Sequence, residues 1–150
     1  METELDIVRN AECGFEDDFF GAIVKETVSR SGMPSLCTCK KLSVGIALVR
    51  DDEIATLNRT YRDKDAPTDV LSFSEHEGTA IHPDEDGNVF LGDLVISPDF
   101  VRRAAEGDGV PFSKEFIFVV AHGILHLLGF DHGEEMFRIQ DEVTEKLFSA

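Results

Sequence analysis

The feature that most constrains this chain is the segment HGILHLLGFDH at residues 122–132, where three of the five histidines follow a nearly unbroken apolar run. His122 and His126 are four residues apart, and side chains at this spacing lie on one face of an α-helix. Gly129 is placed to end such a helix in a left-handed conformation, after which the chain turns back. The spacing therefore predicts that His132 returns to the region of the first two imidazoles.

Three neutral imidazoles that leave one position open form the type of site that holds a catalytic zinc ion. The apolar surroundings favour this interpretation, since a buried polar group without a partner costs about 1–3 kcal/mol and a metal supplies that partner. The alternative is that His122 and His126 are core histidines bonded to backbone carbonyls, with His132 on the surface. We predict one zinc ion per chain, held by His122, His126 and His132.

The spacing from His122 to His132 also resembles the zinc motif H-E-x-x-H-x-x-G-x-x-H of metzincin peptidases. Those peptidases carry a general-base glutamate at the position where this chain has Gly123. Peptide hydrolysis through that glutamate is therefore disfavoured. We interpret the missing side chain of Gly123 as space beside the metal for a bulky substrate.

The composition indicates a single globular domain that spans residues 1–150, with 42% apolar and 29% charged residues. The formal net charge of −16 argues against a broad basic surface for nucleic acid, and DNA is not an expected partner. Basic residues are concentrated between Lys40 and Lys64, so a local basic track is possible, although scattered lysines more often form a solvated surface.

The longest apolar segment, residues 116–128, is too short to span a bilayer, so no membrane partner is expected. The acidic N-terminus lacks the pattern of a secretory signal, and we expect a cytoplasmic protein. The odd number of cysteines indicates reduced thiols. A metal site at Cys37 and Cys39 is disfavoured because Cys-x-Cys is a poor match to the usual zinc spacing.

Hydrophobic periodicity predicts four strands, at residues 3–9, 42–50, 70–74 and 89–97. Five helices are predicted. Three of them span residues 16–30, 113–128 and 134–148. Another begins after an N-cap at Asp51 or Asp52, and the remaining one runs from Pro98 to Gly107 or Gly109. Residues 75–88 are acidic and turn-rich, which predicts a loop or a mobile flap. The pattern predicts an α+β fold in which a small mixed β-sheet is covered by helices.

Three blocks of sequence resemble the YbeY family of bacterial metal-dependent endoribonucleases. HGILHLLGFDH resembles the family signature H-G-x-L-H-L-x-G-[YF]-D-H. LNRTYRDKDAPTDVLSF, at residues 57–73, resembles L-N-x-x-[YFW]-R-x-K-D-x-P-T-D-V-L-S-F, and LGDLVIS, at residues 91–97, resembles G-D-[IL]-x-[IL]-[SC]. The blocks stand in the family's order and cover most of the chain from about residue 42 onward.

The resemblance implies a zinc-hydrolase-like fold in which His122, His126 and His132 hold the metal and Arg62 lies in the substrate cleft. It also implies cleavage of single-stranded RNA in rRNA maturation and ribosome quality control. The implied partners are rRNA precursors and the ribosome or its small subunit. The spacing of the histidines alone implies none of this RNA chemistry.

Arg62 is the first catalytic candidate, since its planar guanidinium can hold a phosphate through two hydrogen bonds and offset charge in the transition state. The alternative from the residues alone is a cation at a helix C-terminus, paired with Asp63 or Asp65. The resemblance to the YbeY family favours the catalytic role.

The general base is the least constrained part of the site. Asp131 adjoins His132 and could orient a histidine or act in catalysis, or it could bond to the backbone in the turn. Asp69 and Asp93 are equally suited to the cleft and to a strand end or turn. We include Asp131 as a second catalytic candidate and leave the other two out.

Two other functional classes stay open at this point. The chain could be a zinc hydrolase that acts on a peptide or a small molecule. It could also be a ribosome assembly factor without catalytic activity, in which the histidine site is structural. Loss of metal would separate these alternatives, because a pure assembly factor should keep its ribosome association without the ion.

Overall fold

Four strands and six helices lie within residues 1–149, the part of the chain that the computed structural model describes; of Cys37 only the backbone is described. The strands are β1 (Glu2–Arg9), β2 (Lys41–Leu48), β3 (Val70–Ser74) and β4 (Asn88–Ile96). The helices are α1 (Asp17–Ser31), α2 (Pro34–Cys37), α3 (Asp51–Arg62), α4 (Pro98–Asp108), α5 (Phe112–Leu127) and α6 (Glu134–Ser149). Every predicted element is confirmed to within two residues, and the short α2 is an additional turn of helix.

The strands form one mixed sheet in the order β1-β2-β4-β3. β1 pairs with β2 and β2 with β4 in parallel, whereas β3 pairs with β4 in the antiparallel direction. The two parallel pairs need crossover connections, and α1 and α3 lie within them. The predicted α+β fold with a small mixed sheet is confirmed.

Helices cover both faces of this sheet. On one face, α1, α5 and α6 enclose the main core, in which Phe20, Phe116, Ile124 and Ile139 are fully buried. On the other face, α3 packs Ile54 against a smaller apolar cluster. Full burial of a side chain of this size stabilises the fold by about 1.5–3 kcal/mol. None of the helices within residues 1–149 has both the length and the hydrophobicity required to cross a membrane.

β4 contains a bulge that changes which side chains face the core. The register between β2 and β4 shifts just before Gly45, so β4 has one extra residue in the segment that contains Gly92. Gly92 has a φ of 132°, a backbone conformation that residues with a side chain rarely adopt. Strict alternation would place Leu91 and Asp93 on one face, whereas the bulge buries Leu91 and Leu94 and leaves Asp93 exposed.

The predicted N-cap of α3 at Asp51 or Asp52 is wrong by one or two residues. Arg50 is the N-cap, with an extended backbone, and its N–H donates to the Glu53 carboxylate at 3.3 Å. Both aspartates therefore lie in the first turn, where their negative charge interacts favourably with the helix dipole.

The next helix, α4, has a capping residue at each end, whereas α5 begins without a side-chain cap. Ser97 caps α4, since its hydroxyl accepts a hydrogen bond from the Phe100 N–H at 3.3 Å. Gly109 ends that helix in the left-handed conformation. α5 begins after Pro111, one residue before the predicted start at Ser113.

Cys13 and Cys39 are buried free thiols, as expected for reduced cysteines. The Cys39 thiol lies 3.0 Å from the carbonyl oxygen of Lys41, to which it donates. The side chain of Cys37 lies outside the described residues, so the expectation for a Cys37 and Cys39 pair stays untested.

Candidate metal centre and cleft

The three histidines of HGILHLLGFDH converge at the C-terminal end of α5. The Nε2 atom of His126 lies 3.0 Å from Nε2 of His122 and 3.2 Å from Nε2 of His132. One nitrogen from each ring lies within 4.8 Å of the others. The structure therefore brings all three predicted ligands together at one point.

The turn after α5 explains how His132 reaches this point. Gly129, with a φ of 94°, donates its N–H to the His126 carbonyl at 3.0 Å, and the Phe130 N–H donates to the Leu125 carbonyl at 3.0 Å. This pair of bonds is a Schellman motif, which satisfies the last carbonyls of a helix and reverses the chain. The predicted helix end at Gly129 thus positions His132 beside the two helical histidines.

Each ring has its own supporting contact. His122 Nδ1 lies 3.4 Å from the side-chain oxygen of Gln140 on α6. The Phe130 backbone lies near His126 and acts to raise its pKa, and the His132 ring lies nearly parallel to Phe137, with centroids 6.1 Å apart. These contacts restrict the rotation of the three imidazoles.

Gln140 is a residue of the site that the sequence interpretation missed. It is fully buried on α6, where the neighbouring buried positions Met136, Ile139 and Val143 are apolar. A glutamine on the apolar stripe of an amphipathic helix is the signal that could have identified it, because a buried amide requires polar partners.

Burial holds the helical histidines in the neutral state. Desolvation lowers the pKa of both His122 and His126 below the ordinary value of 6.5, and the neighbouring imidazoles lower the pKa of His126 further. The Gln140 contact and the charge of Asp69 oppose this decrease at His122. Neutral imidazole is the form that binds a metal ion.

The two separations that involve Nε2 of His126 fit a tetrahedral metal ion. Zinc–nitrogen bonds of about 2.0–2.1 Å in tetrahedral geometry place two ligand nitrogens about 3.3 Å apart. The observed separations of 3.0 and 3.2 Å are close to this value. Three neighbouring imidazole nitrogens, two of them on partly buried rings, lack enough hydrogens to satisfy each other, so a cation is the partner that suits all three.

A cleft of about 540 Å³ opens beside the cluster. One wall, here called the helix wall, is formed by residues 126–131. The opposite wall, here called the strand wall, is formed by β3, the loop after it and Arg62 at the end of α3. Its lining residues are Arg62, Ser72, Ser74, His76, Glu77, Gly78, Thr79 and Ile81. Residues 75–87 form a loop, as predicted, and β4 begins at Asn88.

Arg62 lies on the strand wall with an exposed guanidinium. Its Nη2 donates to the Ser72 carbonyl at 2.8 Å, its Nη1 donates to the Tyr61 carbonyl at 3.2 Å, and it lies 5.1 Å from the centre of the Phe73 ring. The alternative pairing with Asp63 or Asp65 does not occur among the described residues. The guanidinium is instead held at the edge of the cleft.

The three candidate carboxylates occupy different places. Asp131 is exposed and lines the cleft, and within residues 1–149 it makes no hydrogen bond to a histidine. Asp69 accepts hydrogen bonds from the Val70 N–H at 2.7 Å and the Thr68 hydroxyl at 3.3 Å, as a turn residue does. Asp93 is exposed on the sheet face that carries α3, away from the histidines.

Residues 10–148 match the family profile described as Endoribonuclease YbeY. The chain belongs to the YbeY family. It is 36% identical over 159 residues to the endoribonuclease YbeY of Lactobacillus acidophilus, a match that covers 94% of this chain and 88% of that relative. It is 48% identical over 108 residues to the endoribonuclease YbeY of Carboxydothermus hydrogenoformans, with 71% of each chain covered.

The fold is also similar to a protein of Thermotoga maritima whose solution structure is known. The TM-score is 0.64 at 29% sequence identity, and the match covers 97% of this chain and 89% of the other. Membership of the YbeY family therefore agrees with the sequence resemblance and with the α+β architecture.

Within this YbeY-family chain, the interpretation of Gly123 as space for a substrate is wrong. An added Cβ at Gly123 would lie 2.8 Å from Leu94 Cδ2 and 3.3 Å from Val70 Cγ2. The glycine therefore permits close packing of α5 against β3 and β4. The side of α5 on which Gly123 lacks a side chain faces the sheet.

The possible basic track does not extend along the cleft of this YbeY-family chain. Lys41 pairs with Glu4 at 3.3 Å, and Arg59 pairs with Asp65 at 3.5 Å. Of the basic side chains in the described part, Arg62 is the one that lines the cleft. The cleft thus combines a cluster suited to a cation with one guanidinium suited to an anion.

Proposed function

We propose that this chain is a metal-dependent endoribonuclease that cleaves single-stranded RNA. The observation that carries the proposal is the convergence of three Nε2 atoms at one point beside the cleft, with His126 on its helix wall and Arg62 on its strand wall. The YbeY relatives are named as endoribonucleases, which supports RNA as the substrate.

The ion of the proposed site is zinc, one per chain, held by His122, His126 and His132. Nitrogen ligands at tetrahedral separations suit zinc better than the oxygen-binding ions magnesium and calcium. When bound, zinc supplies Lewis-acid chemistry that activates water and offsets charge on a phosphoryl oxygen. The supporting contacts of the three rings keep their nitrogens directed at one point without further rearrangement.

Arg62 holds the scissile phosphate in this proposal. Hydrogen bonds from Nη1 and Nη2 to backbone carbonyls, together with the Phe73 ring, hold the guanidinium in place, and its remaining N–H groups can donate to a phosphate. A fixed guanidinium can offset the negative charge that grows on the phosphate in the transition state.

Asp131 accepts the proton of the attacking water in this proposal. Its carboxylate is exposed in the cleft and follows Phe130 directly in the turn that carries His132. Because no hydrogen bond holds it to a histidine in the described part, the carboxylate is free to accept a proton there.

The proposed cellular substrate is an rRNA precursor in the cytoplasm, cleaved in association with the small ribosomal subunit during maturation and quality control. The net charge of −16 repels RNA outside the cleft. Affinity therefore depends on the few contacts in the cleft and on the ribosomal partner, and it should decrease as salt increases.

The two alternatives receive less support. A peptidase of the metzincin type would need a glutamate at Gly123, and a peptide would compete with Arg62 for the Ser72 carbonyl on the edge strand β3. A purely structural site would not need an open cleft beside the three imidazoles.

The proposal is tested with untagged, zinc-loaded protein and four substrates: single-stranded RNA, duplex RNA, single-stranded DNA and a peptide library. We expect cleavage of the single-stranded RNA alone, stopped by a chelator and restored by zinc. Peptide cleavage without RNA cleavage would favour the peptidase. Ribosome association without any cleavage, unchanged in His126→Ala, would favour the assembly factor.

A further inference from the structure

A buried amide lies directly behind the histidine cluster. Gln140 on α6 is fully buried, and its amide nitrogen donates to the Phe118 carbonyl on α5 at 3.3 Å. Its side-chain oxygen faces His122 Nδ1 at 3.4 Å. The amide thus bridges the backbone of α5 and one of the three rings.

The chemistry of the partners determines which end of the amide faces which group. The Phe118 carbonyl can only accept, so it requires the NH₂ end of Gln140. The reversed amide would place two oxygens against each other in a buried site, which is unfavourable. The oxygen of Gln140 therefore faces the His122 ring.

This orientation determines the tautomer of His122. An amide oxygen can only accept, so Nδ1 of His122 must carry the hydrogen. In the neutral ring the lone pair is then on Nε2, the atom that lies 3.0 Å from Nε2 of His126. The nitrogen that faces the other histidines is therefore the one that can bind a cation.

We propose that Gln140 is a positioning residue: it holds His122 in the Nδ1–H tautomer and so directs the Nε2 lone pair to a divalent cation. The proposal rests on the proposed function in that His122 is a ligand of the ion. It goes further because it assigns control of the His122 tautomer to Gln140. This residue lies outside the cleft and 18 positions further along the chain.

The tautomer is measured directly, without metal and without activity. In metal-free protein labelled with ¹⁵N-histidine, long-range nitrogen–proton NMR spectra at pH 7.5 distinguish Nδ1–H from Nε2–H rings. We expect His122 to be in the Nδ1–H form in the wild-type chain. An Nε2–H form in the wild type would overturn the proposal, whatever the variants do.

The affinity is measured by competition for zinc with a chromophoric chelator. Gln140→Met keeps the length of the side chain and removes the acceptor, and we expect about a 10- to 100-fold loss of affinity, as for other groups that support metal ligands.

Thr144→Val is the matched control. Thr144 is buried one turn further along α6 and donates to the Gln140 backbone carbonyl at 2.8 Å, without a hydrogen bond to a histidine. We expect wild-type affinity and the wild-type tautomer. Equal losses in Thr144→Val and Gln140→Met would overturn the proposal, because disturbed packing of α6 would then be the cause.

The outcomes separate this proposal from the proposed function. If the wild type binds no zinc, the metal site itself fails, whatever the tautomer. If the wild type binds zinc but Gln140→Met binds it equally well, Gln140 is not a positioning residue and the proposed function stands.

Discussion

The two walls of the cleft differ in how firmly they are held. On the helix wall, Leu127 and Leu128 are buried in the core, and the Schellman motif at Gly129 fixes the turn. On the strand wall, Glu77, Gly78 and Thr79 are exposed. The loop there is held by local bonds, such as that between the His76 ring and the Phe90 carbonyl at 2.7 Å.

This difference corresponds to two tasks. An ion that stays in place requires ligands with little freedom, because a preformed site avoids the cost of ordering them. A polymer substrate must enter and leave, so the wall that contacts it can be open and polar. We therefore predict that changes to the histidines at the helix wall alter metal binding, whereas changes on the strand wall alter turnover alone.

The largest effect is expected for His126→Ala, which removes the histidine that is central to the cluster. The variant should lose stoichiometric zinc, and RNA cleavage should fall to background. Metal analysis and a single-turnover cleavage assay check both outcomes. His82→Ala, an exposed histidine outside the cleft lining, is the control and should behave as wild type. Full activity in metal-free His126→Ala would contradict the claim that cleavage depends on a metal ion held by His126.

Arg62→Ala on the strand wall should leave the zinc content unchanged and lower turnover by about 10²- to 10³-fold, the range for loss of one donor to a developing charge. Zinc analysis and turnover rates are measured together. Arg59→Ala removes a guanidinium of α3 that pairs with Asp65, and it should have little effect. Loss of zinc in Arg62→Ala would mean that the two walls are not independent.

Gly123→Ala tests the side of α5 that faces the sheet. The added methyl would press against Leu94, and we expect a loss of about 1–3 kcal/mol in the free energy of unfolding, as for other overpacked cores. Gly107→Ala, in α4 with no atom near the added methyl, should instead gain up to about 1 kcal/mol. Urea unfolding of both variants checks the signs; a stabilised Gly123→Ala would contradict the packing argument.

The smallest effect is a pH dependence of the metal-free protein. The pKa values of His122 and His126 are lowered in the folded state, so below pH 6.5 the unfolded state binds more protons than the folded state. The free energy of unfolding should therefore decrease as the pH falls through this range, until both states are protonated. Thermal unfolding in chelator between pH 7.5 and 5 measures this slope.

The control for this slope is His126→Ala, which has one fewer histidine with a lowered pKa. Its stability should depend less on pH in the same range. An equal slope in the variant would assign the effect to other groups.

Local patterns were sufficient to predict the elements and the convergence of the three histidines. His122, His126 and Gly129 act through helical periodicity and helix termination, which depend on neighbours within a few residues. The order β1-β2-β4-β3 could not be predicted in this way, because it depends on pairing between strands that are distant in sequence.

The same limit explains the errors at single residues. The role of Gly123 depends on the approach of Leu94 from β4, and the role of Gln140 depends on the packing of α6 against α5. In the sequence, the first contact is visible only as one glycine within a helix, and the second only as one polar residue on an apolar stripe. Neither pattern identifies the residue that makes the contact. The exposure of Asp93 depends on the bulge at Gly92, which an alternating pattern does not indicate.

The most direct test of the metal centre is a stepwise zinc titration of chelator-treated, untagged protein, with bound zinc and RNA cleavage measured in each sample. Our account predicts that cleavage is absent without zinc, rises in proportion to bound zinc and reaches its maximum at one equivalent per chain. Cleavage at full rate before any zinc is added, or a maximum unrelated to the bound ion, would contradict it.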